Sequence, residues 1–596
     1  MDNNAYSFIQ GEKSSFKKPI ILVEGWNFSW ITHIRRSVLY KNSQFEEAND
    51  NRETRPFKNI VRPILNVQYR TEGFDVKDIE IYVNDPQNYY KSFLVKKFHE
   101  KWALQHEMDT FIDEVVESYV DFGGVLVKNV DDIRPEVVNL QSIAFCDQTD
   151  FLSGPFAIEH FLSPGQLRDM KKRGWGDKKN GATIDIEKLI AVSLPSKDKD
   201  TTQISTPGKY IKVYELHGTF PASWLKENKE EEYVPQIQIV AFYQGSDDKE
   251  VGATLFKSKE PKLPFKFLKR DPIFGRALGF GGIEELFEPQ IWTNFSEIKI
   301  AEMLEHASKV IYTTTDPAYK NRNRIKDMSM GEITTVQEGR QITQLDTTPR
   351  NLPIFNDAVT RWQDNARLMG SAAEALIGES PSAGTPFKLF EAQLMEGKSL
   401  HHWRQGKLAV FMDEIYRDWI IPYISREITK GQKFLAELSA DELQEVAEKV
   451  AAKEANRQAV EKILNGELVM PGEMEATRQT TMEGFLKGGR KKFIEILKDE
   501  MKDAPLEVRT SIAGKQKNLA LLTDKLVNVL RQFISTPEIR QDPDMVKLLN
   551  TILESSGMSP IMFGPSSASA IRGGGGTEPL KALAKTTQKA APALTR

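Results

Sequence analysis

Between Gly282 and Ile377, apolar residues recur twice at helical spacing, on either side of a stretch too rich in turn formers to be helix. The first run holds Ile283, Leu286, Phe287, Ile291, Trp292, Phe295, Ile298, Met303, Leu304, Ala307 and Val310, the three-and-four spacing that gathers side chains on one helix face. At 1.5 Å rise, a helix of about 28 residues is a rod of roughly 40 Å. Pro289 falls in its second turn, where a missing amide and a ring that clashes with the carbonyl four residues back predict a kink. The second run, Ile354–Ile377, carries Phe355, Ala358, Val359, Trp362, Ala366 and Met369 on one face. Between them, in Thr313–Pro353, the segments Glu332–Gln337 and Arg340–Leu345 are spaced to pair across Glu338-Gly339 as a hairpin. The sequence therefore calls for a rod, a small turn-and-hairpin module, and a second rod returning the other way.

The flanks differ in character. Upstream, Lys91–Phe122 reads as one long amphipathic helix, with Phe98, Leu104, Met108, Phe111 and Val115 among its apolar positions and Gly123-Gly124 as its stop. Strand-like alternation marks Ile79, Ile81 and Val83, then Ile211 and Val213, then Ile237, Ile239 and Ala241. Ser163-Pro164-Gly165 is an N-cap and first turn for a short helix ending at Gly174. Lys197–Gly208 and Lys257–Pro264 read as exposed loops. Strand and helix alternate too seldom for a doubly wound sheet, so the expectation is α+β, predominantly helical.

Downstream, Gly378–Pro386 is a loop of Gly, Pro and small polar residues, unsuited to the interior of a helix or strand. A very long helix follows from Phe387 to about Thr429, weakened by Gly397 and Gly406 and kinked at its end by Pro422. The remainder reads as nearly all helix: Ser439 with Glu442 is a capping-box signature before Leu443–Leu464, and Gln516–Ile534 and Pro543–Leu553 follow. The last thirty residues, with Gly573–Gly576, read as a flexible tail.

Composition narrows the function. The 596 residues allow roughly four domain-lengths of about 150, and 40% hydrophobic with 28% charged residues is ordinary globular usage, enough for a sizeable core. Lys plus Arg number 80 against 84 Asp plus Glu, a formal charge of −4, which argues against a protein whose main task is gripping phosphate. The single Cys146 excludes an internal disulfide and Cys-rich zinc or iron–sulfur sites, and a buried, inert thiol is the expectation. The N-terminal Met-Asp-Asn-Asn-Ala-Tyr lacks a basic and apolar leader, and no apolar run approaches the ~18 residues of a membrane helix. A reducing cytoplasm is the expected place of synthesis and assembly.

Catalytic signatures are missing. Among the eight histidines there is no His-Glu-x-x-His pair, and adjacent His401-His402 point to different faces of one helix. The loop Gly378–Thr385 has five residues between its glycines, no lysine before Thr385 and prolines in place of amide donors, so it is a poor phosphate loop. Gly279-Phe-Gly-Gly lacks dinucleotide spacing, and no Gly-x-Ser-x-Gly elbow occurs. The reading is non-enzymatic, with no catalytic residue, no metal ligand and no cofactor assigned.

Three stretches together carry a resemblance: Ile158-Glu-His-Phe-Leu-Ser-Pro-Gly-Gln-Leu167; Gly282-Ile-Glu-Glu-Leu-Phe-Glu-Pro-Gln290; and Gly378 through Phe387, with the long helix to Trp419-Ile-Ile-Pro422. With the order of parts, over roughly residues 60 to 430, the chain resembles the portal proteins of tailed bacteriophages, most closely those of crAss-like phages. The resemblance implies a homo-oligomeric ring of about twelve chains at one capsid vertex of the virion, through which double-stranded DNA is packaged and released. It further implies docking to the large terminase, the major capsid protein and tail-adaptor or neck proteins, with no membrane partner.

On this resemblance residues 1–282 are the wing, 283–311 the first stem helix, 312–353 the clip, 354–377 the second stem helix and 378–386 the tunnel loop. Residues 387–515 are the long wing helix and a helical extension of uncertain division between wing and crown, 516–565 the crown, and 566–596 the tail. The tunnel loop would face DNA with Glu379, Ser380, Pro381, Ser382, Ala383, Gly384, Thr385 and the nearby Lys388. Lys320, Arg322, Arg324 and Lys326 would form a basic clip patch toward DNA, motor or adaptor. Competing readings are a phage neck or scaffold component without a DNA channel, and an intracellular hydrolase or nuclease.

Overall fold

A computed structural model describes residues 4–46, 55–83, 89–130, 134–193, 210–225, 232–244, 250–309, 311–315, 342–345, 351–371, 399–437, 440–464, 470–487, 491–496 and 506–510. The chain divides into two units, Met1–Ile512 and Ala513–Arg596, and every described residue belongs to the first. The expected helices Gln516–Ile534 and Pro543–Leu553 and the tail lie outside the described residues.

The first unit is α+β and predominantly helical. Its largest sheet is an antiparallel meander whose strands neighbour one another in chain order: Ile143–Phe145, Phe156–Leu162, Ile211–Pro221, Tyr233–Gln244 and Glu250–Lys259. Alternation along these strands fills two faces. Ile211, Val213, Ile239 and Ala241 pack against Leu167, Ile186 and Leu189 of the helices Pro164–Met170 and Ile186–Ser193. Tyr214, Leu216, Val240 and Phe242 pack the other way, against Ala5, Ile9 and Phe16 of Asn4–Phe16. The Ser163 cap is present as a full capping box with Gln166, and Gly174 closes the following turn at φ 85°. The segment read as a loop from Lys257 is strand as far as Lys259, because Lys257, Ser258 and Lys259 continue the ladder opposite Gln238, Ile237 and Gln236.

A second core joins Val61–Glu72, Tyr89–Gln105, Met108–Phe122 and the long helix beginning at Ser399. Lys91–Phe122 was expected as one helix; the chain instead breaks at Glu107, which takes φ 51°. The break re-phases the apolar face: Met108, Phe111, Ile112 and Val115 are fully buried, whereas Leu104, counted on the same face, is 79% exposed. At Gly123 (φ 75°) a Cβ would stand 2.4 Å from the Gly279 carbonyl oxygen, so only glycine fits the turn into Gly124–Lys128.

The two rods are present and antiparallel. The outgoing rod is split into Gly282–Glu285 and Phe287–Ser308, with Leu286 as the joint. This is the kink assigned to Pro289, displaced to where the proline ring presses on the carbonyl four residues back, that of Glu285. The returning rod is Leu352–Met369, ending in a Gly370-Ser371 turn (Ser371 φ 51°) short of the expected Ile377. Trp292 and Trp362 stack at 6.1 Å and 10°. Beyond the far ends, Tyr312–Thr314 pairs antiparallel with Ile342–Gln344. The strand expected within Arg340–Leu345 therefore pairs with Tyr312–Thr314, and its expected partner Glu332–Gln337 lies outside the described residues.

The long helix is described from Ser399 to Thr429 and passes through Pro422 without ending, by opening one π turn at Tyr416–Ile420. The region after it is not all helix. Gln432–Glu437 pairs with Lys491–Ile496, and Leu506–Thr510 returns to pair with Ile79–Val83. Between them, Ala440–Leu464 buries Ala447, Ala451, Ala455 and Ala459, a stripe of small residues one turn apart, and Pro471–Lys487 follows. The helix begins where the capping signature put it, although Ser439 itself lies outside the described residues.

Two buried histidines set an acid limit on this fold. Burial pushes His33 and His99 down to about 4, whereas an unfolded histidine titrates near 6.5. The unfolded chain therefore takes up more protons below pH 6.5, and stability is lost as pH falls through that window toward 4, by roughly 3 kcal/mol per histidine at most. The melting temperature is expected to fall by several degrees between pH 7 and pH 5. In the variant His33→Gln/His99→Gln that loss should be absent, and His217, raised by Glu215 and Glu260, should instead add stability as pH falls.

Candidate functional site

The returning rod ends at Ser371 and the long helix resumes at Ser399, so residues 372–398 are tied down at two described roots. Both roots meet in a buried cluster of charge. Glu72, at the end of its helix, and Arg270, at the end of strand Phe265–Lys269, are each fully buried and paired through two hydrogen bonds, Nη2 to Oε1 at 2.7 Å and Nε to Oε2 at 3.1 Å. Arg404 reaches from the long helix to three carboxylates: Asp271 Oδ2 and Glu285 Oε1, each at 2.6 Å, and Glu72 Oε1 at 3.4 Å. His401, one turn earlier, has both ring nitrogens facing acceptors, Glu72 Oε1 at 3.0 Å and the Ser371 carbonyl at 3.1 Å. Gln68 Nε2 donates to Glu285 Oε2 at 3.2 Å and to the Gly370 carbonyl at 3.1 Å.

The hub thus holds the root of each rod, Glu285 and Gly370-Ser371, and both ends of the intervening segment. Local sequence explains the positions. His401, Arg404 and Gln405 occupy one face of the helix at three-and-four spacing, and Gln405 Nε2 donates to the Gly73 carbonyl at 2.7 Å. Lys407 Nζ closes the cluster on the Arg270 carbonyl at 2.7 Å. Burial alone would raise the Glu72 carboxyl, but Arg270, His401 and Arg404 outweigh it and hold it at about 2. Arg270 is pushed up by Glu72, Glu285 and Asp271 against its own burial. The arrangement is a clamp: each buried guanidinium and carboxylate is paired with a partner of opposite charge, although Gln68 Oε1, Arg270 Nη1 and Asp271 Oδ1 make no hydrogen bond.

A second buried cluster ties the meander to its neighbour sheet. Glu215 accepts from Lys128 Nζ at 2.5 and 2.7 Å, lies 3.0 Å from His160 Nε2, and stands 3.2 Å from His217, whose Nδ1 is 2.7 Å from Glu260. Burial opposes ionisation of Glu215, yet Lys128 and the two histidines hold it well below the usual carboxylate range.

The residues singled out in the sequence fall differently. Glu379, Ser380, Pro381, Ser382, Ala383, Gly384, Thr385 and Lys388 lie outside the described residues, and so do Lys320, Arg322, Arg324 and Lys326. What is described is their footing, the hub for the first set and the Tyr312–Thr314/Ile342–Gln344 ladder for the second. His401 is buried and His402 exposed, on different faces as the adjacency required. Cys146 is buried, and burial pushes its thiol well up. Among the described residues, no three His, Cys, Asp or Glu are placed to hold a metal ion, and no helix is long and apolar enough to cross a membrane. Sequence reasoning missed the hub altogether. Its members are 72, 270–271, 285 and 401–404 in the numbering, and no spacing rule links residues that meet only in three dimensions.

No family model matches the chain, and no curated protein matches it. Among solved structures it is similar to a chain from the neck of an empty gene transfer agent (GTA) particle computed with C6 symmetry, at 9% identity and TM-score 0.35, over 91% of this chain and 96% of that one. It is similar also to a chain of the virion of a native GTA particle, at 10% identity and TM-score 0.32, over 93% and 99%. A third, from the neck of a native GTA particle computed with C12 symmetry, stands at 9% identity and TM-score 0.30, over 84% and 91%. Likeness this loose carries no functional argument.

Removing one partner from the hub leaves a buried charge uncompensated, which costs about 3–5 kcal/mol. Arg404→Leu and Glu72→Gln are therefore expected to lower stability by that order in denaturant titration. Hydrogen exchange should also rise at Gly370, Ser371 and the first turn of the long helix. Lys172→Ala, which removes an exposed pair with Asp169, should change stability by less than about 0.5 kcal/mol.

Proposed function

We propose that this chain is a phage portal protein, a non-enzymatic subunit of a ring that conducts double-stranded DNA through one capsid vertex. The observation that carries the reading is the antiparallel rod pair, footed on a buried charge hub that also holds Gly370-Ser371 and His401, the described residues on either side of 372–398. A stiff pair of helices with a strand ladder at one end and a buried charge hub at the other suits a channel wall, which needs length across the wall, a docking tip and a firm base. The net charge of −4 suits passage, because each added Lys or Arg would be repeated by every subunit of the ring and would hold DNA by phosphate neutralisation.

In this reading residues 1–282 form the wing, 283–311 and 354–377 the stem, 312–353 the clip and 378–386 the tunnel loop. Residues 387–515 form the long wing helix with a strand-bearing extension, and 516–565 the crown. Glu379 to Thr385 and Lys388 line the constriction, and Lys320, Arg322, Arg324 and Lys326 meet DNA, the large terminase or the tail adaptors. The capsid protein holds the ring from outside. The stretches Ile158–Leu167, Gly282–Gln290 and Gly378–Phe387 resemble the portals of crAss-like phages, and this resemblance supports a ring of about twelve subunits.

Deleting Pro381–Gly384 is expected to leave annular particles intact in negative-stain images while DNA packaging or retention falls at least tenfold. Loss of the annulus itself would show that these residues are not the tunnel loop. Reversing charge with Arg322→Glu/Arg324→Glu should weaken terminase or adaptor docking with an unchanged melting temperature, and an unaltered packaging yield would remove that role. A wild-type chain that forms closed rings yet neither admits nor retains DNA would favour a neck component without a channel.

A further inference from the structure

The outgoing rod is buried on its polar residues. Over its first three turns the side chains turned inward are Gln290, Thr293, Asn294 and Ser296, while Ile291, Trp292 and Phe295 face out, Trp292 at 43% exposure. The three lie on one helix face. Trp292 and Phe295 meet edge to face at 5.7 Å, and Trp362 backs the tryptophan. The long helix carries a second such stripe. Leu400, Trp403 and Val410, three and seven residues apart, are exposed, Trp403 at 55%, while Leu408, Phe411, Met412 and Ile415 fill the core from other faces. Single exposed apolar residues are commonplace, but two tryptophan-centred stripes at helical spacing are the signature of a contact.

We propose that these stripes are the two halves of one head-to-tail contact between copies of this chain, the Ile291–Phe295 stripe of one copy seating on the Leu400–Val410 stripe of the next. A self-complementary dimer needs a single patch, whereas a head-to-tail contact needs two different ones on the same chain, and this chain has two. Their spacing is fixed, since both helices are footed on the same hub: Glu285 in the first piece of the outgoing rod and Arg404 between Trp403 and Val410 share a hydrogen bond at 2.6 Å. Together the six side chains present on the order of 500 Å² of apolar surface, enough for the dry centre of an interface of about 1,600 Å². The contact rests on the ring reading above only for its closure into an annulus.

Light scattering and negative-stain imaging of the full chain test this. The wild type is expected to be oligomeric. Trp292→Glu/Phe295→Glu and Trp403→Glu/Val410→Glu chains should each be monomeric with circular-dichroism melts like the wild type, and their equimolar mixture should form heterodimers, because each brings the stripe the other lacks. Crosslinking gives a second readout that needs no disruption. Cys146 is buried, so a chain with Phe295→Cys and Val410→Cys should yield a ladder of multiples on oxidation, and either substitution alone should yield none. A monomeric wild type would mean that another protein or this chain's own residues 372–398 cover the stripes, and it overturns the contact. So do variants that still assemble, a mixture that stays monomeric, or the absence of a ladder. Rings that survive both stripe variants sink this contact and leave the ring reading standing. Rings built by this contact that never retain DNA do the reverse.

Discussion

Two guanidinium groups and the carboxylates of Glu72 and Glu285, with Asp271 at the edge, are taken out of water at one point in this molecule. Desolvating such ions is costly, and the cost is offset only when geometry pairs every one of them. The constraint is strict because the partners come from five separate places in the chain, around residues 68–72, 270–271, 285, 370–371 and 401–405. None can be absent without stranding the others. The cluster therefore sets where each rod begins and ends more firmly than the intrinsic helix preferences of the rods do. Hydrophobic burial supplies most of the driving force for the surrounding cores, but it is non-directional. The hub supplies the directionality.

Much of the local structure was legible in the residues, and the failures share a cause. The rods, the Ser163 cap, the Gly123 stop and the two central meander strands, Ile211–Pro221 and Tyr233–Gln244, follow from periodicities and turn residues within a few positions of one another, whereas the outer meander strands were not read as strands. Lys91–Phe122 was read as one helix because the three-and-four rule tolerates a drift of phase; only the packing of Leu104 away from the core reveals the break at Glu107. The segments Gln432–Glu437, Lys491–Ile496 and Leu506–Thr510 were absorbed into a helical reading, although Leu506–Thr510 pairs with a strand more than four hundred positions away. A strand's partner is not written beside it. Proline was read correctly in kind and wrongly in place: Pro289 acts at Glu285-Leu286, and Pro422 opens a π turn before itself.

The distribution of charge also bears on function. The chain is nearly neutral overall, and its strongest ion pairs are internal, in the Glu72–Arg270 and Glu215–Lys128 clusters, where salt screens little. The outward faces of the rods carry paired charges of both signs, such as Lys299 with Glu302 and Lys309 with Glu305. A surface of that kind lacks a persistent single-sign field.

The π turn at Tyr416–Ile420 fixes the length of this helix. A wide turn of this kind holds one residue more than the regular helix would over the same rise. Each residue advances an α-helix by about 100°, so removing any one of the five would restore a regular pitch and swing Ile424 and Ile428 off the core they now fill. The bulge is thus locked in by what lies beyond it: a chain one residue shorter here would have to rebuild the whole downstream face at once.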